Sequence, residues 1–138
     1  MKVYFSISEL CITDGPVPQH VADKLLKHHI TPMNIVRDKL GKPVRASSHS
    51  GYRPVSYEKK KKRSGNSQHC FKGKGAVDWT ATDIKKLLQL ILKHSTYTRV
   101  AYYKTKKFIH CDFKYTGNKG IQYFESNSKS KWTFIKYV

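Results

Sequence analysis

The segment FIHCDF, residues 108–113, constrains the fold of this 138-residue chain more than any other stretch. Side chains alternate between the two faces of a strand, so a strand here would place His110 and Asp112 on one face. Their Cα atoms would lie about 6.6 Å apart. The opposite face would carry three apolar side chains, Ile109, Cys111 and Phe113. The pattern therefore predicts a strand that buries one face in a core and lines a cleft with two polar side chains.

The rest of the chain predicts helices first and strands later. Apolar spacing predicts a helix over residues 21–29, a second from Thr31 as N-cap with Pro32 in its first turn to Gly41, and a third within residues 80–94. Thr80 and Asp83 would form the capping box of the third helix. Strands are predicted at the start of residues 42–54 and within 98–103, 107–115 and 131–138, with 3–10 as a short strand or entry segment. We expect one α+β domain over residues 1–138, with helices packed on a small antiparallel sheet.

Charge is the most unusual bulk property of the chain. It has 27 Lys and Arg against nine Asp and Glu, a net charge of +18. Such a field attracts polyanions, among them nucleic acids, anionic lipids and anionic cell-wall polymers. The basic run within residues 56–68 is predicted to be a solvated loop, with contact to an anionic polymer as the alternative. No basic recognition motif for nucleic acid is present, so specific nucleic-acid binding is not expected.

The remaining bulk features favour an ordinary folded domain. Hydrophobic residues make up 38% of the chain and aromatic residues 12%, enough for a core. Neither a membrane-spanning apolar run nor a secretory signal is recognisable, so synthesis in the cytoplasm is expected. The three cysteines have no C-x-x-C spacing, which favours reduced thiols.

Three side chains have the chemistry of a metal site. His69 and Asp78 are separated by a glycine-containing loop, and His110 lies on the predicted cleft strand. Catalytic zinc sites use about three protein ligands, and imidazole and carboxylate are suitable donors. Spacing alone leaves open the alternative of scattered polar residues in a basic protein. For the other histidines a surface or core role is expected: His20, His28, His29, His49 and His94.

Four motifs in order, SSHSGYR, SQH, GAVDW and FIHCDF, resemble the M15 family of zinc peptidases. This family includes D-alanyl-D-alanine carboxypeptidases and peptidoglycan endolysins, and hedgehog signalling domains share its metal-site fold. The stretches YFSISEL and PMNIVRDKLGKPV and the late Trp132 extend the resemblance over about residues 4–132. The resemblance implies a zinc peptidase that cleaves stem peptides of peptidoglycan.

The resemblance also implies roles for individual residues. His69, Asp78 and His110 match the zinc ligands. Arg53 matches the residue that holds the substrate and the developing oxyanion, and Ser67 matches a substrate-contacting hydroxyl. Asp112 is the best candidate for the general base, or alternatively a residue that orients His110 or another ligand. A catalytic role is thus predicted for Arg53 and Asp112.

Two departures from the family pattern stand out. The family usually places its Asp seven residues after the His, whereas Asp78 is the ninth residue after His69. Many members also carry an acid shortly before the final His, where this chain has YYKTKK. That missing acid supports the alternative of a zinc-stabilised binding domain without catalysis. A lysin of phage type that acts on the cell wall is the expectation from the resemblance as a whole.

Overall fold

A mixed sheet organises the fold in the computed structural model, which describes residues 3–12, 15–127 and 131–138. Within these residues the strands are β1 (Val44–Ala46), β2 (Ala76–Ala81), β3 (Arg99–Tyr103), β4 (Phe108–Asp112), β5 (Gln122–Ser126) and β6 (Thr133–Tyr137). Their order across the sheet is β1-β2-β4-β3-β5-β6. Asp14, one of the nine acidic residues, lies outside the described part of the chain.

The α+β class is confirmed, and the sheet is mixed rather than purely antiparallel. β3 and β5 run parallel, while the other neighbouring pairs are antiparallel. β4 already occupies one side of β3, so β5 pairs with the free side of β3. β5 itself was not predicted from the sequence, and its position explains the parallel pair.

The helices before the sheet form one continuous run instead of two separate helices. α1 (Gln19–Lys24) continues into a π-helical segment (Leu25–Ile30) and then into α2 (Thr31–Leu40). The predicted N-cap at Thr31 is wrong, because Thr31 has helical dihedral angles and its hydroxyl donates to the Leu26 carbonyl (2.8 Å). Pro32 lacks an N–H and crowds the preceding turn, and a π-helical turn accommodates both effects. Gly41 ends α2, as predicted, and adopts the left-handed conformation.

Two other elements differ from the prediction. α4 (Ile84–His94) begins after Asp83, which caps it by accepting from the Lys86 N–H (3.2 Å). Thr80 lies in β2 instead of a capping box, and its hydroxyl donates to the Lys107 carbonyl (2.8 Å). The polar loop expected over residues 56–68 begins with a helix instead. This helix, α3 (Val55–Lys60), directly follows Pro54. Near the N-terminus a 3₁₀ turn (Ser8–Leu10) replaces the short strand.

One face of the sheet is buried against the helices. The core includes Val77 and Trp79 of β2, Ile109 and Cys111 of β4, and apolar side chains of α2 and α4. Ile109 and Cys111 are fully buried, as predicted for one face of β4, whereas Asp112, which was expected to line a cleft beside His110, is fully buried too. None of the helices in the described part of the chain has the length and apolar character needed to span a bilayer. The opposite face of β2 and β4 is left for polar side chains.

Candidate metal centre

Two of the three predicted ligands lie on neighbouring strands. Asp78 of β2 and His110 of β4 are directly opposite each other in the antiparallel register. Their side chains leave the same face of the sheet, because Val77 and Trp79 point to the core. His69 comes from a 3₁₀ turn (Gln68–Cys70) that lies beside β2. Strand pairing thus fixes two donors and a separate turn supplies the third.

The donor atoms of these residues converge on one point. His69 Nε2 lies 3.2 Å from His110 Nδ1 and 3.3 Å from Asp78 Oδ1, and His110 Nδ1 lies 2.8 Å from Asp78 Oδ1. Among the described residues these three form a group able to hold a metal ion. Donors about 2.0–2.1 Å from a tetrahedral zinc are about 3.3 Å apart. The two distances from His69 Nε2 match this value. The 2.8 Å between His110 Nδ1 and Asp78 Oδ1 would have to widen slightly around a bound zinc.

Each imidazole is oriented by a hydrogen bond from its other nitrogen. His69 Nδ1 donates to the Gly51 carbonyl (2.8 Å), which leaves Nε2 for the metal. His110 Nε2 donates to Asp112 Oδ2 (2.7 Å), which leaves Nδ1. Such outer partners fix the tautomer of a ligating histidine and raise its basicity. Both histidines are therefore presented with the correct nitrogen toward the common point.

Asp112 is held from two sides. Its carboxylate is fully buried and receives Arg99 Nη2 at 2.5 Å and Arg99 Nε at 3.0 Å, and also the Lys114 backbone N–H at 3.0 Å. Together with His110, these donors form hydrogen bonds with both carboxylate oxygens of Asp112. These contacts match the second role weighed from the sequence, in which Asp112 orients His110, whereas its role as a base stays a prediction.

Ser50 fixes the second oxygen of Asp78, a role that sequence reasoning did not assign. The Ser50 hydroxyl donates to Asp78 Oδ2 (2.7 Å), and the Asp78 N–H donates to the Ser50 carbonyl (2.7 Å). Arg53 donates to the Ser50 hydroxyl (2.6 Å) and lies 3.4 Å from the same carboxylate oxygen. The motif SSHSGYR, which carried the resemblance, was the available signal. Ser50 and Arg53 of this motif both contact the Asp78 carboxylate.

Gly51 allows the motif to approach the N-terminal segment closely. A Cβ at this position would lie 2.1 Å from the Leu10 carbonyl oxygen. The neighbouring Tyr52 donates its N–H to that same carbonyl (2.8 Å). A side chain at Gly51 would therefore push away the backbone whose carbonyl orients His69.

Electrostatics couples the two carboxylates to His110. Burial lowers the pKa of His110, but the hydrogen bonds to Asp112 and Asp78 outweigh burial and raise this pKa to about 9. Burial raises the pKa of Asp78, whereas His69 and His110 hold it well below its usual range. For Asp112, burial is again outweighed by His110 and Arg99, and its pKa falls to about 2. Without a metal, the His110 imidazolium offsets part of the negative charge of the two carboxylates.

A pocket of about 440 Å³ opens onto these ligands. Five basic side chains line it, namely Arg53, Arg63, Arg99, Lys106 and Lys114. Asp78 is the single acidic residue that lines it within the described part of the chain. The pocket is therefore suited to an anionic or carboxylate-bearing ligand.

Comparison with protein families identifies the chain. A family model described as Peptidase M15 matches residues 3–112, most of the sequence. The chain belongs to the peptidase M15 family. Peptidase function and dependence on a metal follow at the level of the family. Searches of curated proteins and of solved structures return no match.

The M15 match ends at Asp112, yet the segment beyond it reaches the pocket. Trp132, just before β6, lies 5.2 Å from the His110 ring and 4.7 Å from the Arg99 guanidinium, measured to ring centroids. Its indole N–H donates to the Tyr103 hydroxyl (2.6 Å). This chain thus completes the wall of its M15 centre with a residue outside the matched region.

The remaining predicted residues also lie at the pocket. Ser67 lines it, and its hydroxyl accepts the His69 N–H (3.2 Å) at the start of the 3₁₀ turn. Arg53 lines it with its side chain one-fifth exposed. Glu58, which the sequence left unplaced, is buried behind the pocket, 2.6 Å from Arg63 and 3.9 Å from Arg53. The side chain of His49 is outside the described residues.

Proposed function

We propose that this M15 peptidase is a zinc enzyme that hydrolyses amide bonds in peptidoglycan stem peptides. The observation that carries the proposal is the convergence of His69 Nε2, Asp78 Oδ1 and His110 Nδ1 at the floor of a basic pocket. Two imidazoles and one carboxylate match a catalytic zinc site, which keeps a position open for water or substrate. The stem peptide as substrate rests on the resemblance of the four motifs.

In the proposed reaction His69, Asp78 and His110 hold the zinc. When bound, zinc supplies Lewis acidity, which polarises the scissile carbonyl and lowers the pKa of a water molecule. Gly51 and Asp112 keep the two imidazole rings in place through their hydrogen bonds. Ser50 holds the carboxylate of Asp78 in the same way. The chain therefore provides a donor set that hydrogen bonds orient before the metal binds.

Arg53 is proposed to bind the substrate and to stabilise negative charge that develops on it. Its guanidinium is permanently charged, and it lies at the pocket surface beside the Asp78 carboxylate. The bond to the Ser50 hydroxyl fixes its position relative to the ligand. Ser67 is proposed to add a hydroxyl contact to the substrate. Both residues would favour a peptide that carries a carboxylate near the scissile bond.

The outward-facing charge of the chain supports a location at an anionic cell wall. A net charge of +18 attracts anionic wall polymers without any dedicated site. We propose a lysin-like enzyme of phage type that acts on the wall, as a D,D- or L,D-specific carboxypeptidase or endopeptidase. Mass spectrometry of digested muropeptides identifies the bond that is cut.

The decisive test is zinc content and hydrolysis in matched variants. His69→Ala and His110→Ala are expected to lose bound zinc and muropeptide hydrolysis together, because each removes one of three ligands. His20→Ala, an exposed histidine, is the control and should retain both. Hydrolysis that persists in a zinc-free His110→Ala protein would contradict the proposal.

A second candidate function is a zinc-stabilised binding domain without catalysis. It is favoured by the absence of an acid in residues 102–107, and by Asp78 being the single acidic residue among the described ones that line the pocket. Under this alternative the zinc-loaded protein binds peptidoglycan fragments but leaves them uncut. Muropeptide digestion with and without a chelator separates the two functions.

A further inference from the structure

The loop between the first two ligands is fastened to the helical run from outside the metal centre. Phe71–Gly75 is the part of this loop between the His69 turn and β2. The Lys24 ammonium donates to the Phe71 carbonyl (3.0 Å), and the ring of His29 bonds the Lys74 carbonyl through Nε2 (2.9 Å). We call these two contacts the loop tether. Both contacts cross more than 40 residues of sequence to reach the same loop.

The hydrogen bonds of His29 are fully determined by its partners. The Lys74 carbonyl only accepts, so Nε2 of His29 carries the proton. Burial lowers the pKa of His29 to about 3, so the ring is neutral and Nδ1 accepts. The Tyr97 hydroxyl therefore donates to Nδ1 (2.7 Å) and accepts from the Trp79 indole N–H (3.0 Å). Trp79 directly follows Asp78, so this chain of bonds reaches both the loop and the ligand strand.

The π-helical segment explains why Lys24 and His29 act on the same loop. Hydrogen bonds in a π-helix join residues five apart, so the side chains of residues 24 and 29 come onto one side of the run. In an α-helix residues three or four apart are the neighbours. The turn that accommodates Pro32 thus also aligns the two donors of the loop tether.

Packing of the loop itself leaves little freedom once it is fastened. Phe71 has positive φ and is almost fully buried, with its ring 5.4 Å from that of His29. Gly75 has a φ of +90°, and a Cβ there would lie 2.3 Å from the Phe71 ring. The loop therefore folds over Phe71, and its two tethered carbonyls fix the direction in which it leaves the His69 turn.

We propose that Lys24 and His29 are positioning residues that hold the Phe71–Gly75 loop so that His69 and Asp78 meet at the metal. The inference rests on the metal centre of the proposed function. It assigns a role to two side chains that lie outside the pocket and touch no ligand of the metal. Their contribution appears in zinc affinity and in the order of the loop.

The test uses two pairs of variants. His29→Leu fills the site without hydrogen bonds, whereas His29→Gln keeps one donor and one acceptor. Lys24→Met removes the ammonium but keeps the apolar stem, and Lys27→Met is the control at an exposed lysine of the same run. Zinc dissociation constants from chelator competition are measured beside hydrogen exchange of the loop amides in metal-free protein.

We expect His29→Leu to weaken zinc binding about tenfold and to accelerate exchange of the loop amides. Lys24→Met should weaken zinc binding about fivefold, equivalent to one hydrogen bond. His29→Gln should restore most of the loss, and Lys27→Met should match the parent protein. If His29→Leu does not fold, Lys24→Met and His29→Gln still carry the comparison.

Two results would overturn the inference, and they differ. Parent protein that binds no zinc would remove the metal centre and with it the positioning role. Parent protein that binds zinc, together with unchanged zinc affinity and loop exchange in Lys24→Met and His29→Leu, would overturn the positioning role alone.

Discussion

At the scale of single residues, Asp112 offers the sharpest test of how the centre works. Asp112→Asn keeps the shape but weakens acceptance from His110 and Arg99. If Asp112 orients His110, as its contacts indicate, zinc affinity should fall about 10- to 100-fold while kcat of the zinc-saturated enzyme changes little. Chelator competition and muropeptide kinetics at saturating zinc measure the two quantities.

The predicted base role gives the opposite result for the same variant. Loss of a general base lowers kcat by roughly 10²- to 10⁴-fold, with zinc affinity retained. Asp83→Asn is a suitable control, because Asp83 caps α4 and does not line the pocket. A kcat loss of that size at full zinc occupancy would refute the orienting role.

Gly51 provides a second prediction at this scale. Gly51→Ala should destabilise the protein by about 1–3 kcal/mol, because the new Cβ collides with the Leu10 carbonyl. Zinc affinity should fall as well, since the Gly51 carbonyl orients His69. Urea unfolding measures the first effect. Gly73→Ala is the matched control, as a Cβ there meets nothing within 4 Å, and equal stabilities of the two variants would contradict the prediction.

At the scale of elements, the site was predictable wherever one strand carried the pattern. Alternation along β4 assigns Ile109 and Cys111 to one face and His110 to the other, and this assignment needs no information about the partner strands. The contacts of Ser50 with Asp78 and of Arg99 with Asp112 join separate segments of the chain, and the periodicity of a single strand holds no information about them. The loop between His69 and Asp78 was visible in the sequence, but the residues that fasten it were not.

The missed elements have local causes. β5 pairs in parallel with β3, and side-chain alternation within a strand does not encode the direction of its partner. Thr31 and Pro32 have the composition of a helix start, yet the neighbouring turn widens into a π-helix and the run continues. Packing of the run against the core overrides the local signal in that case.

A substitution of Trp132 tests what the segment before β6 contributes to the pocket. Trp132→Ala should lower kcat/KM about tenfold, because it removes the ring beside His110 and Arg99 and the partner of the Tyr103 hydroxyl. Trp132→Phe keeps the ring without the N–H and should recover part of the loss. Ile135→Ala, at an exposed position of β6, is the control. Muropeptide kinetics at saturating zinc check the prediction, and unchanged kcat/KM in Trp132→Ala would contradict it.

At the scale of the whole molecule, the charge of the centre makes stability depend on pH. The pKa of His110 in the folded, metal-free protein is about 9, above the 6.5 of an unfolded histidine. Its contribution to stability is therefore complete below pH 6.5 and is lost as the pH rises through 9. The Tm of metal-free protein should fall over this window, and this fall should be smaller in His110→Gln.

Zinc should change that profile. Coordination requires a deprotonated His110 nitrogen, so zinc binding releases a proton and tightens as the pH rises. Scanning calorimetry in chelator and in excess zinc should therefore give curves that diverge between pH 6.5 and 9. Parallel curves would show that His110 does not take part in binding. At the acid end, the contribution of Asp112 is present above pH 3.8 and is lost as the pH falls through about 2.

The cross-strand pairing of Asp78 and His110 has a consequence for how distant relatives can be found. Two donors are set by sheet register and the third arrives on a turn, so the number of residues between His69 and Asp78 is free to drift. Lengthening such a connection from seven residues to nine adds only about 0.2 kcal/mol of closure entropy. A search that demands a fixed interval between histidine and aspartate would pass over chains like this one. Matching the aspartate strand to the second histidine strand would retrieve them.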